Sequence, residues 1–197
     1  MRDHYRNLSA VFGVSSVCVF VLTFILCWLL TPGYNPIFDH ISKLGTVDSP
    51  CGLIWNTIGF GLVGALLAIH GVCFGLALGD RVLALALLIG GIGFSIAAIP
   101  TDFADASSTL TRAHYASVCV ALGGWFCGMA RLLSLGTLDR ITSLASHCAL
   151  VLVIVPIVAA ETSASPEALS HRMILVVLFS WVVVNCLGVI QRKAATG

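Results

Sequence analysis

The sequence predicts an all-α polytopic membrane protein: a bundle of six transmembrane helices with a short amphipathic helix in the first outer loop. Three observations predict it. The 197-residue chain is 58% hydrophobic and only 10% charged, where a soluble domain is about one-quarter charged. Its mean hydropathy is +1.03. Its apolar residues gather into six stretches, each near the roughly 20 residues that cross about 30 Å of hydrocarbon as a helix. A transmembrane barrel would show shorter, alternating segments instead. One membrane domain covering residues 1–197 is expected, with no soluble domain attached.

Residues 10–30 form the first helix. This stretch is too long for a signal-peptide core, and Trp28-Leu29-Leu30-Thr31-Pro32 offers no small-residue cleavage site, so it reads as an uncleaved span. The next segment, Asn35-Pro36-Ile37-Phe38-Asp39-His40-Ile41-Ser42-Lys43-Leu44-Gly45, has a proline where helices start and a glycine where they stop. Ile37, Ile41 and Leu44 then share one face, with Asp39 and Lys43 paired at i, i+4. It is expected to lie at the interface or to cap the bundle.

Residues 52–78, 82–99 and 113–135 form helices two to four. Each is rich in glycine: Gly59, Gly61, Gly64, Gly71 and Gly75, then Gly90, Gly91 and Gly93, then Gly123, Gly124 and Gly128. Small residues let membrane helices approach closely, so these read as packing seams. No strand–loop–helix context makes them a phosphate loop. Residues 141–160 form helix five, with Pro156 expected to kink its outer end. Residues 172–190 form helix six.

Basic residues set the expected orientation. Arg2, Arg6, Arg81, Arg131, Arg140, Arg192 and Lys193 fall at one set of helix ends; Lys43, Arg112 and Arg172 fall at the other. The excess of cations predicts that both termini are cytoplasmic, with a plasma (inner) membrane as the expected host. A net charge of +1 implies nothing about nucleic acid, and no basic run supports such a partner, so none is expected. Of eight cysteines, seven lie inside helices, where they act as small apolar residues, and no CxxC occurs. Cys51 lies near the outer surface with no evident partner.

The chemistry-bearing residues sit in the three outer loops. Asp39, His40 and Ser42 occupy the first. Asp102 ends helix three and His114 begins helix four; Glu161 ends helix five and His171 begins helix six. Helix ends on one side of a bundle can converge, and ionisable groups held beside lipid point to function. Carboxylates with imidazoles supply general acids and bases. The same set suits zinc with one open position, although no HExxH or comparable ligand spacing occurs, so a metal or other cofactor is left open. Asp105 and Glu167, amid Ser and Ala, read as solvated. Ser42 is two residues from His40 and points away from it on a helix, so a serine nucleophile would need His114 or His171. An inner layer of His70, His147 and Asn185 reads as packing through hydrogen bonds. Its alternative is haem, held by a His70/His147 pair and an outer His114/His171 pair.

Ile41-Ser42-Lys43-Leu44-Gly45, then Pro50 and Asn56, then Pro100-Thr101-Asp102 and His114, resemble the six-helix membrane family catalogued as domain of unknown function 998. The resemblance spans most of the chain. It departs at Ile99, where the family often has Phe, and it matches the last third loosely, so Asp102 and His114 are better supported than Glu161 and His171. It implies a bundle with an outward polar site and supplies no reaction.

Two classes of function follow. One is an enzyme acting on a membrane lipid or isoprenoid, with Asp102 and His114 as acid and base and with His40, Glu161 and His171 orienting groups or binding metal. Hydrolysis by activated water and cyclisation started by a protonating carboxylic acid both fit. The other is a non-catalytic lipid-binding, ligand-binding or scaffold protein, and a nearly bare midplane argues against an ion-coupled transporter.

Overall fold

The computed structural model describes residues 2–102, 105, 107–136, 140–162 and 166–196, with residue 160 and residues 188–196 followed as backbone alone. The side chains of Arg192 and Lys193, which contribute to the charge bias, therefore lie outside the described ones. Six long helices are present: α1 (Arg2–Leu30), α2 (Gly52–Leu78), α3 (Arg81–Ile96), α4 (Thr109–Leu133), α5 (Arg140–Glu161) and α6 (Glu167–Thr196). No strand occurs among the described residues. Five of the helices are long and apolar enough to cross a membrane. Large apolar side chains also cover the outside, including Leu22, Leu29, Val151 and Val176. A surface of this kind suits a hydrocarbon surround and marks a multi-pass membrane protein.

α3 is shorter than the sequence predicts. Its 16 residues span about 24 Å at 1.5 Å each. Beyond Ile96 the chain tightens, with the Ile99 amide bonded to the Ile96 carbonyl, and Pro100 bars further helix. α1 and α6 are longer than predicted, because each continues through its charged flank.

Small residues bring α2, α3 and α4 together. A β-carbon on Gly71 would lie 2.5 Å from Leu87 Cβ, and one on Gly93 would lie 2.5 Å from the Ala121 nitrogen. Gly123 is different: nothing lies within 4 Å of such a carbon, so it is no part of a seam. An aromatic cluster joins α1, α2, α3 and α6. Phe20 meets Phe179 at 4.6 Å and Trp55 at 5.6 Å between ring centroids, and Phe60 meets Phe94 at 5.4 Å. Such pairs stabilise by about 0.5–1.5 kcal/mol each beyond their area.

The α2–α3 turn is closed by two adjacent residues. Gly79 adopts φ 75°, a left-handed conformation that ends α2. Asp80 then caps α3, accepting the Leu83 amide at 2.7 Å. Its second oxygen takes Arg131 Nη2 at 2.6 Å, which ties the turn to the end of α4. That contact holds the Asp80 carboxyl below the usual carboxylate range.

Residues 55–62 of α2 form a π-helix. Asn56 Nδ2 there donates to the Gly45 carbonyl at 2.7 Å, and any side chain on Gly45 would collide with Asn56. The preceding loop is anchored by this contact.

That loop departs from the predicted amphipathic helix. Only Ile41–Gly45 is helical, as a 3₁₀ turn. Asn35 Oδ1 accepts the Ile37 amide, and the Asp39 carboxylate accepts the Asn35 amide at 2.7 Å. These local bonds satisfy the backbone without a helix. Ile37 and Phe38 are exposed, and Leu44 is the buried anchor. The predicted Asp39–Lys43 pair forms at 2.6 Å even so. Cys51 also has a neighbour that the sequence did not reveal. It is buried beside Cys27, which is itself buried near the end of α1.

Candidate functional site

α4 begins where Ser108 Oγ accepts the Thr111 amide. Thr111 is buried, and its hydroxyl both donates to the Asp102 carbonyl at 3.1 Å and accepts the Asp102 amide at 3.0 Å. Asp102 is thereby fixed through its backbone. Its carboxylate is exposed and accepts the Asp105 amide at 3.3 Å.

One turn further along α4, His114 is buried. Its Nδ1 lies 3.2 Å from the Ile99 carbonyl. A carbonyl only accepts, so Nδ1 carries the proton and Nε2 keeps the lone pair. The Phe60 ring, presented by the π-helical stretch of α2, meets the imidazole edge-on at 5.8 Å. π-Helical turns recur at functional sites.

His114 is in the wall of a cavity of about 590 Å³. The cavity's body is apolar, with Phe60, Phe94, Val118, Leu122, Trp125 and Leu178 among its walls and Pro156 and Ile157 contributed by α5. Its polar lining comprises His40, Ser42, Glu161, Glu167 and His171 as well as His114. Pro156 is fully buried here and lacks an amide hydrogen for its helix, which nonetheless runs unbroken from Arg140 to Glu161. α4 and α5 pack against each other sparsely. Tyr115 and Ile157 on that flank are exposed.

His40, Glu167 and His171 form the tightest polar group. Each offers one ligating atom, and the three atoms lie within 4.8 Å of one another. His40 Nε2 is 4.0 Å from Glu167 Oε2, and His171 Nε2 is 3.8 Å from Glu167 Oε1. The imidazole centroids of His40 and His171 are 5.4 Å apart. Glu167 and His171 share a face of α6 at i, i+4. His40 arrives from the first loop, which Arg172 holds over α6. The Arg172 guanidinium donates to the Tyr34 hydroxyl, the Asp39 carbonyl and, at 3.2 Å, the Ala168 carbonyl.

Of the seven residues predicted from the sequence, the structure gathers five at the cavity: His40, Ser42, His114, Glu161 and His171. Asp102 and Asp39 are not among its lining. Asp39 is taken up by the Asn35 amide and Lys43. Burial opposes its ionisation, but that amide, Lys43 and Arg172 outweigh it and hold the carboxyl below its ordinary range. Asp105, read as solvated, is exposed and bonds Ser107. Glu167 was also read as solvated, and it stands between two histidines. Its i, i+4 spacing to His171 was the available signal, hidden because helix six was started at Arg172.

The inner histidine layer does not assemble. His70 is enclosed, with Nδ1 2.9 Å from the Ser9 carbonyl, whereas His147 is exposed and bonds Ser143 in its own helix. A haem held between the two has no site. Asn185 is buried and donates to the Trp181 carbonyl.

The sequence profile of the family described as protein of unknown function DUF998 matches residues 14–188. The chain belongs to this family. The match takes in α2 to α5 whole, the larger part of α1 and α6, and every residue of the cavity cluster. Comparison with curated proteins and with solved structures finds no match.

Proposed function

We propose that this DUF998 protein is a membrane-embedded hydrolase that draws the chain of a lipid or isoprenoid into the cavity and presents its polar linkage to the imidazole–carboxylate cluster. The observation that carries this is the cavity's division: apolar walls below, ionisable side chains at one end. Ligand sites are mostly apolar with a few convergent polar groups, and an amphiphile matches that division. The sparse α4–α5 flank is the route of entry from the bilayer. Hydrolysis fits better than proton-initiated cyclisation. Cyclisation needs a neutral carboxylic acid kept dry, yet Glu161 and Glu167 are both exposed, so water reaches them.

The cluster faces away from the cytoplasm in this reading. Arg2 lies beside Gly79, and Arg131 bonds Asp80, so the basic ends of α1 and α4 gather at the α2–α3 turn. By chain direction that turn is at the end of the bundle opposite the cluster, and cation-rich ends stay in the cytoplasm.

The test uses protein reconstituted in vesicles with a photoactivatable lipid and a fluorogenic ester lipid. Wild type is expected to cross-link through α4 or α5 and to release the fluorophore. Leu122→Trp, which fills the cavity, should lose both signals. Cross-linking without turnover in wild type would remove the hydrolase and leave a binding protein; cross-linking that survives Leu122→Trp would remove the cavity as the site.

A further inference from the structure

We infer that His40, Glu167 and His171 form a binding site for one divalent transition-metal ion, of which zinc is the best match. Two imidazoles and one carboxylate, with a position left open, are a recurrent zinc donor set for hydrolysis. In a tetrahedral site with bonds near 2.0–2.1 Å, donor atoms stand about 3.3 Å apart. Here His40 Nε2 is 4.0 Å from Glu167 Oε2 and His171 Nε2 is 3.8 Å from Glu167 Oε1, and one donor atom from each residue lies within 4.8 Å of the others. Side-chain rotations of Glu167 and His171, both exposed, would bring the donors to that spacing.

The backbone beneath them is fixed. Ala168 and Ser170 are buried on either flank of the Glu167–His171 face and Ile174 is buried one turn further along that face, so the rotation of α6 is set. Arg172 holds the Asp39 carbonyl, one residue before His40. The donors thus come from two segments that Arg172 ties together, which suits a preformed site. Glu161 lines the same cavity. Nitrogen and oxygen donors in this ratio favour zinc over magnesium or calcium, which take oxygen almost exclusively.

The inference rests on reading this cavity as the functional site, but its test uses no lipid, so either can fail alone. Tag-free protein in detergent, stripped with chelator and passed through gel filtration, is titrated with zinc chloride, and bound zinc is measured by mass spectrometry. Cobalt chloride supplies a second readout through its visible absorption. Wild type is expected to bind one equivalent of zinc and to give an intense cobalt spectrum. Glu167→Gln and the His40→Ala/His171→Ala double variant should weaken zinc binding about a hundredfold or more, beyond the 10–100-fold seen for outer-shell changes. If the double variant fails to fold, Glu167→Gln decides, since it is isosteric and exposed. Wild type without a zinc equivalent, or Glu167→Gln binding zinc as wild type does, overturns the site. The eight cysteines are present in every variant, so adventitious thiol binding cancels in the comparison.

Discussion

Glu167 stands 4.0 Å from His40, although one residue opens the last helix and the other lies in the first loop. The contact joins the two ends of the chain at the cavity's polar side. It depends on Arg172, which fastens the first loop to α6.

Arg172→Lys is therefore expected to loosen that loop. A lysine ammonium cannot reach three acceptors in the guanidinium's fork, and hydrogen bonds to a charged group contribute about 1.5–3 kcal/mol each. Hydrogen exchange should speed by about tenfold or more for amides 37–45 and stay unchanged in α3. Equal exchange in the two proteins would show that the loop is held by Leu44 and Asn56 alone.

Asp80→Ala removes both a helix cap and the partner of Arg131. Loss of the cap alone costs about 0.5–2 kcal/mol, and Asp80→Asn should recover most of that by keeping a capping oxygen. The sign with pH follows from the lowered pKa. Asp80's contribution is full above about pH 4, the unfolded value, and fades as pH falls through the lower folded value. Thermal unfolding in detergent should thus show the wild-type advantage over Asp80→Ala shrinking in acid.

The glycines offer a matched pair. Gly93→Ala places a carbon 2.5 Å from the Ala121 nitrogen, and overpacking of this kind costs about 1–3 kcal/mol. Gly123→Ala meets nothing and replaces a poor helix former, a change expected to be neutral or to stabilise by up to about 1 kcal/mol. A lowered unfolding temperature for Gly93→Ala and an unchanged or raised one for Gly123→Ala check both.

Asp102→Ala separates the sequence reading from the structure. Asp102 is exposed and is not part of the cavity lining. Lipid cross-linking and zinc content should stay within about twofold of wild type, the range of an ordinary surface substitution. A total loss of lipid signal with normal folding would restore Asp102 to the site.

Helix number was legible in the sequence because hydrophobicity reports it directly, but helix ends were legible only to within several residues, because charged flanks continue the helices. The convergence of His114, Glu161 and His171 followed from their places at those ends. Helix rotation and loop path were not legible. Asp102 and His114 flank one loop, but Thr111 pins the Asp102 backbone and leaves its carboxylate outside. Glu167 looked like loop because the apolar run begins later, whereas Pro166 and an acidic first turn start the helix there. His147 fell at a suitable depth on the wrong side of its helix, a choice that apolar periodicity cannot make when both faces are greasy.

Under the proposed lateral entry, the sparse flank between α4 and α5 would change what affinity means for this protein. A ligand arriving along the membrane plane never enters water, so its abundance is a mole fraction of the leaflet rather than a molarity. Every bulk lipid competes for the same volume, and selectivity becomes a ratio of two exchange equilibria. Diluting the vesicles in buffer should leave cavity occupancy untouched, whereas diluting the ligand among other lipids should empty it.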